Sequence, residues 1–253
     1  MNPGSSLKGG NVTLKTQTLT GTGGSEVIAR TLSTGDAGDV SIVPLDPAQP
    51  SSVSFDGVAS FTGRFSVYGT PDGGFSSGVI ISIEDAPIPN TPPAIGKGGS
   101  LYINGITNLS LSNGAVISGR SRSAGNGANV ALDIKNLSLT GGSQINVPAY
   151  RSGDPGNIAI NAETITISGI DPTFQTRFDA IEQAVLTNLK AQPNLVANPA
   201  RKAREITQFT VDTGSSSSAL STSIYKSGKT ASDSNFDAHF AQSSHSKRYG
   251  DFR

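Results

Sequence analysis

The chain has 253 residues, with 19 Lys and Arg against 19 Asp and Glu, no Cys, no Trp, 30 Gly and only 15% charged residues. Zero net charge argues against capture by nucleic acid or by an anionic membrane, and without Cys there is no disulfide framework. No stretch approaches the roughly 18 consecutive apolar residues of a membrane span, and few groups remain of the kind most active sites need, although Gly and Ser accumulate in any turn-rich all-β chain.

The N-terminus, Met1-Asn2-Pro3-Gly4-Ser5-Ser6-Leu7-Lys8, has no basic region followed by an apolar one and does not read as a signal peptide. From Gly10 the chain repeats itself. A shift of 118 positions brings Val12, Leu14, Leu19, Val27, Val40 and Ile42 onto Val130, Leu132, Leu137, Ile145, Ile158 and Ile160. Gly10 to Gly38 is 28 residues, Gly99 to Ala128 is 29 and Ala128 to Gly156 is 28, so the long offset reads as close to four units. In the middle unit Gly125-Asn126-Gly127 is followed by Val130 and Leu132, by Leu137 and Leu139, by Gly141-Gly142, and by Ile145 and Val147. Two-residue spacing of apolar positions belongs to strands with one buried face, not to helices.

Stacked units place Leu101, Val130 and Ile158 in one apolar ladder, Ile103, Leu132 and Ile160 in a second, and Ile117 over Ile145 in a third. Neighbouring backbones then pair as parallel strands about 4.8 Å apart. No unit buries its apolar face alone, so several must stack. The predicted fold is all-β, a right-handed parallel β-helix with about 28–29 residues per coil over residues 1–170, with a short helical segment and a disordered tail.

Residues 43–95 interrupt the period with a Pro-rich insertion. Gly38 to Gly99 spans 61 residues, room for two coils or for one with a long loop, and the segment carries Pro44, Pro47, Pro50, Pro71, Pro87, Pro89, Pro92 and Pro93. Pro denies the ladder its donors, so much of this stretch must leave the sheets. Val53 and Phe55 are expected to return as one strand, and Val79, Ile81 and Ile83 as another. Beyond Gly169, Asp171-Pro172 offers an N-cap and first helical position, and Phe174, Phe178, Ile181, Val185 and Leu189 recur at helical spacing. Residues 171–206 therefore read as a helical insertion or cap, 207–225 as a partial coil, and 226–253 as a disordered polar tail holding both histidines, His239 and His245.

No catalytic, cofactor or metal site is expected. Between Gly99 and Gly169 the acids are Asp133, Asp154 and Glu163, at non-equivalent positions in their coils, where they read as turn formers and solvated strand residues. Arg120, Arg122 and Arg151 are the candidate glycan-binding residues, since bidentate guanidinium groups in corresponding corners of successive coils suit sulfated or carboxylated sugars. The competing reading is ordinary solubility. Exposed coil ends are a further expectation, with self-association through unpaired strands as their consequence.

The coil pattern, with Val53-Ser54-Phe55-Asp56-Gly57-Val58, Gly96-Lys97-Gly98-Gly99-Ser100 and Leu109-Ser110-Leu111-Ser112-Asn113-Gly114-Ala115, resembles the repeat region of cyanobacterial filamentous-haemagglutinin-type exoproteins over about residues 7–170. The resemblance implies a non-enzymatic structural or adhesive segment of a two-partner-secretion protein, displayed at the cell surface or released. The family's secretion domain is not found in this sequence, which leaves export of this chain by itself in doubt. Surface glycans or other cells' surface components are the implied partners, with no nucleic acid and no membrane span. The alternatives are a carbohydrate-active β-helix enzyme of pectinase or lyase type, and a non-functional fragment of a broken exoprotein gene.

Overall fold

The computed structural model describes residues 8–60, 74–85, 93–174, 176 and 219–221. Within them the chain is all-β, and its strands form two parallel sheets. The first sheet contains β1 (Val12–Lys15), β2 (Thr18–Thr22), β4 (Val40–Val43), β5 (Ser52–Asp56), β7 (Ser100–Ser112), β9 (Asn129–Thr140) and β11 (Ile158–Ser168). The second is ordered β12-β10-β8-β6-β3, with β3 at Glu26–Thr31, β6 at Gly78–Glu84, β8 at Val116–Arg122, β10 at Gln144–Asn146 and β12 at Ala219–Ser221.

Registers follow the apolar spacing. One ladder joins Val12, Val40, Leu101, Val130 and Ile158; another joins Leu19, Val53, Leu109, Leu137 and Ile165; a third joins Val27, Val79, Ile117, Ile145 and Leu220. Each unit thus contributes two stretches to the first sheet and one to the second, always in the same order. In β9 the inward residues Val130, Leu132, Ile134, Leu137 and Leu139 are buried, and with their counterparts from both sheets they form one apolar core. Hydrophobic burial along these ladders is the main favourable term.

The period differs from its sequence reading in two ways. The 118-residue offset covers three steps of the ladder, not about four, because Val12 stacks on Val40, Val40 on Leu101 and Leu101 on Val130. The long step is the second unit, a single one, which contributes β4, β5 and β6. The two short strands expected at the start of each later unit are also continuous, as β7, β9 and β11 of 13, 12 and 11 residues. Pairing survives the polar corner between them. The 29-residue spacing has a local cause: the register shifts between Asn104 and Ile106, and the extra residue is Gly105, at φ 72°.

Corners are held by close backbone approach and by side-chain acceptors. A Cβ on Gly38 would strike the carbonyl oxygen of Gly10, one on Gly99 that of Gly38, and one on Gly156 that of Ala128. Asn11 Oδ1 accepts the backbone N–H of Asp39 at 3.0 Å, Asp39 Oδ1 that of Ser100 at 2.8 Å, and Asn129 Oδ1 that of Asn157 at 2.9 Å. A parallel set joins Asp36 Oδ1 to Lys97 N at 2.7 Å and Asn126 Oδ1 to Asp154 N at 3.0 Å. The side chain of each unit satisfies a donor of the next.

Asp171 begins a turn, its Oδ1 accepting from the backbone N–H of Thr173 at 2.8 Å. The remainder of the expected helical segment and the whole 226–253 tail lie outside the described residues. So does most of the 207–225 stretch, within which β12 pairs with β10.

Candidate functional site

Every residue of β6 is buried, on both faces of the strand. Its inward side chains Val79, Ile81 and Ile83 enter the core, while the other face carries Ile80, Ser82 and Glu84. Register places Arg30 and Arg120 on either side of Ser82, and Arg122 directly beside Glu84. Glu84 Oε1 lies 3.3 Å from Arg120 Nη2 and 3.8 Å from Arg122 Nη1, and Oε2 lies 3.4 Å from Arg30 Nη1. Burial by itself would push the Glu84 carboxyl up. The guanidinium groups of Arg122, Arg120 and Arg30 overcome it and hold the carboxyl at about 2.

The three candidate glycan-binding arginines are therefore placed unequally. Arg120 and Arg122 are sunk into the Glu84 cluster, with side chains only 12% and 8% exposed. Arg151 Nη1 pairs with Asp85 Oδ2 at 2.8 Å and keeps 32% of its side chain in solvent. Arg30, which the sequence reading did not single out, is more open at 43%. The cluster groups three guanidinium groups around one carboxylate and tethers the end of β6 to β3 and β8. Glu84 was missed because it sits inside an apolar run, Val79-Ile80-Ile81-Ser82-Ile83-Glu84; the signal was an acid ending that run two residues after Ser82, on the outward alternation.

The first sheet offers a different surface. Outward positions of β2, β5, β7, β9 and β11 form three columns. The first is Thr18, Ser52, Asn108, Asn136 and Thr164; the second is Thr20, Ser54, Ser110, Ser138 and Thr166; the third is Thr22, Asp56, Ser112, Thr140 and Ser168. None of them is buried, and no other described segment covers this face. Rungs stand about 4.8 Å apart and columns roughly 7 Å apart. Neighbours within a column bond to each other: Asn136 Nδ2 donates to Asn108 Oδ1 at 2.8 Å and Ser112 Oγ donates to Asp56 Oδ1 at 2.6 Å. The three columns are small-featured and rich in donors and acceptors, with Asp56 their one charged position.

Acids are engaged in structure. Asp36 and Asp39 cap corners, Asp56 joins Ser112 and Asn113, and Asp133 accepts from Asn161 Nδ2 at 2.8 Å. Among the described residues no group of three or more His, Asp or Glu is placed to hold a metal ion, and no helix is long and apolar enough to cross a membrane. No family model, curated protein or solved structure matches this chain.

Proposed function

We propose that the chain winds as a right-handed parallel β-helix and serves as a structural and adhesive repeat segment of a filamentous-haemagglutinin-like exoprotein, at the cell surface or outside the cell. The winding is supported by the order of the three ladders, which recurs unit after unit, and by the right-handed preference of parallel crossovers. The adhesive role rests on one observation above all, the three-column face of Ser, Thr and Asn with Asp56, which no described segment covers. An extended plane of hydrogen-bonding groups suits a broad, repetitive partner such as a surface glycan, contacted over many weak sites instead of in one pocket. Arg151, paired with Asp85 and 32% exposed, is the most open of the three candidate arginines and so the best placed of them to add charge-assisted contacts to an acidic sugar.

The reading is non-enzymatic. Glycoside cleavage needs a pair of carboxylates facing each other across the sugar, whereas Asp36 and Asp39 accept at corners, Asp56 and Asp133 accept from neighbouring side chains, and Glu84 and Asp85 pair with arginines. The test is surface labelling of intact source cells with an antibody raised against residues 99–169, alongside an immunoblot of cell fractions and medium. Signal at the surface or in the medium is the expected result. Protein confined to the cytoplasm would overturn the adhesive reading.

A further inference from the structure

Among the described residues β11 is paired on one side only, and Ile165 and Ile167 are 48% and 43% exposed where the residues they stack on, Leu137 and Leu139, are buried. At the opposite edge β1 is likewise paired on one side, and its Val12 and Leu14 are only partly buried. The chain itself contains a template for joining these two edges. Asp154-Pro155-Gly156-Asn157, which leads into β11, repeats Asp36-Ala37-Gly38-Asp39, which leads into β4; Lys8-Gly9-Gly10-Asn11, which leads into β1, repeats Lys97-Gly98-Gly99-Ser100, which leads into β7. Inside the molecule the second of these corners sits on the first, as β7 pairs with β4.

Gly10 supplies an independent observation. Every other glycine of its ladder is required because a Cβ would strike the preceding unit's backbone, as Gly99 would strike Gly38. A Cβ on Gly10 meets nothing within 4 Å. The fourth unit carries Ala128 at this position, so glycine is not demanded at every rung, but a Cβ on Gly10 would strike a backbone placed against it as Gly38 is placed against Gly99.

We propose that this backbone belongs to a second copy, so that the β1 edge of one molecule stacks head to tail on the β11 edge of another, in the register in which β7 stacks on β4. Val12 and Leu14 then cover Ile158 and Ile160, and Leu19 covers Ile165. Asp154 Oδ1 takes the backbone N–H of Lys8 and Asn157 Oδ1 that of Asn11, as Asp36 takes Lys97 at 2.7 Å and Asp39 takes Ser100 at 2.8 Å. Pro155 lacks the donor that Ala37 supplies to the Lys97 carbonyl, so one corner bond of the template is absent from this junction. The strand ladder keeps its donors. Repetition of a heterologous contact of this kind builds a filament.

The inference rests on the winding proposed above, and disulfide capture separates the two. The chain has no Cys, so introduced thiols report alone. Thr13 and Ala159 are exposed and lie four rungs apart in one molecule, about 19 Å and far beyond disulfide reach. Across the proposed junction they are direct neighbours. Mixing full-length Thr13→Cys with full-length Ala159→Cys under mild oxidation is expected to give heterodimers at least tenfold faster than either gives homodimers, and adding Gly10→Ala to the first chain should abolish that preference without changing its urea midpoint. A Ser41→Cys, Tyr102→Cys chain is the control, since these residues pair within one molecule. If the control closes its internal disulfide and the mixture shows no heterodimer preference, head-to-tail stacking is overturned while the winding stands. If the control fails, the winding falls and the stacking with it.

Discussion

Glu84 is held by three guanidinium groups, those of Arg30, Arg120 and Arg122. Its carboxyl titrates at about 2 instead of the ordinary 4.5, so folding favours the ionised form. A group depressed in this way contributes stability that is fully present above the unfolded value and is lost as pH falls through the folded one. The window therefore runs from about pH 5 to about pH 2, and a shift of this size corresponds to about 3 kcal/mol. Glu84→Gln keeps the shape, removes the charge and leaves Arg120 and Arg122 buried beside a neutral amide. We expect a loss of about 3 kcal/mol at pH 7, read by urea denaturation, and a flatter stability profile between pH 5 and pH 2 than in the parent. Equal stability at pH 7 would show that the arginines find other partners. Phe55 is a purely apolar counterpart. Its ring occupies the space a side chain on Gly21 would need, and it is 2% exposed. Phe55→Ala should cost about 3 to 5 kcal/mol in the same assay, since Gly21 has no side chain to collapse into the gap.

The strands were legible in the sequence because each inward residue repeats at a spacing of two and each unit recurs after 28 or 29. Val53 with Phe55 and Val79 with Ile81 and Ile83 were readable even within the Pro-rich stretch, since alternation survives where the period is lost. The number of units was not readable, because one 61-residue unit gives the same offset as two shorter ones and only the register of Val40 on Leu101 decides between them. The candidate site was less legible still. Arg120 and Arg122 look like surface charges until Glu84, 36 and 38 positions away, is brought alongside, a long-range pairing that no local pattern encodes. Strand position in the stack also sets local stability. Among the described residues β7 and β9 are paired on both sides, whereas β11 has β9 alone. In the monomer, at a dilution below head-to-tail stacking, amide exchange should accordingly be slowest at Leu109, Leu111, Leu137 and Leu139 and at least tenfold faster at Ile165 and Ile167. Uniform protection through β11 at micromolar concentration would mean that its edge is covered. Within β7, Gly105→Ala places a Cβ at φ 72° and should cost about 1 kcal/mol while leaving the pairing on both sides intact.

At the scale of the whole molecule, the two outer faces have opposite fates. The outward side of β6 is buried and crossed by an ion-pair cluster, whereas the three columns of the first sheet stay unburied over five rungs, with Ser, Thr and Asn at every position but Asp56. A surface of that kind contributes little to folding, because its groups trade water for water. Substitutions on it are therefore expected to change stability by no more than about 0.5 kcal/mol each. Binding through such a face is a sum over many weak contacts, which predicts a dependence on number and planarity instead of on identity. Ser54→Ala, Ser110→Ala or Ser138→Ala alone should leave retention on fixed cell surfaces within about twofold of the parent, each removing one hydroxyl among fifteen outward positions. Replacing all three by Gln keeps the column neutral and hydrogen-bonding but raises a ridge down the middle of the plane. Partner groups are then held off both flanking columns, and retention should fall at least tenfold with the urea midpoint preserved. A single alanine variant that abolished retention would point to one discrete pocket, and adhesion by an extended face would have to be given up.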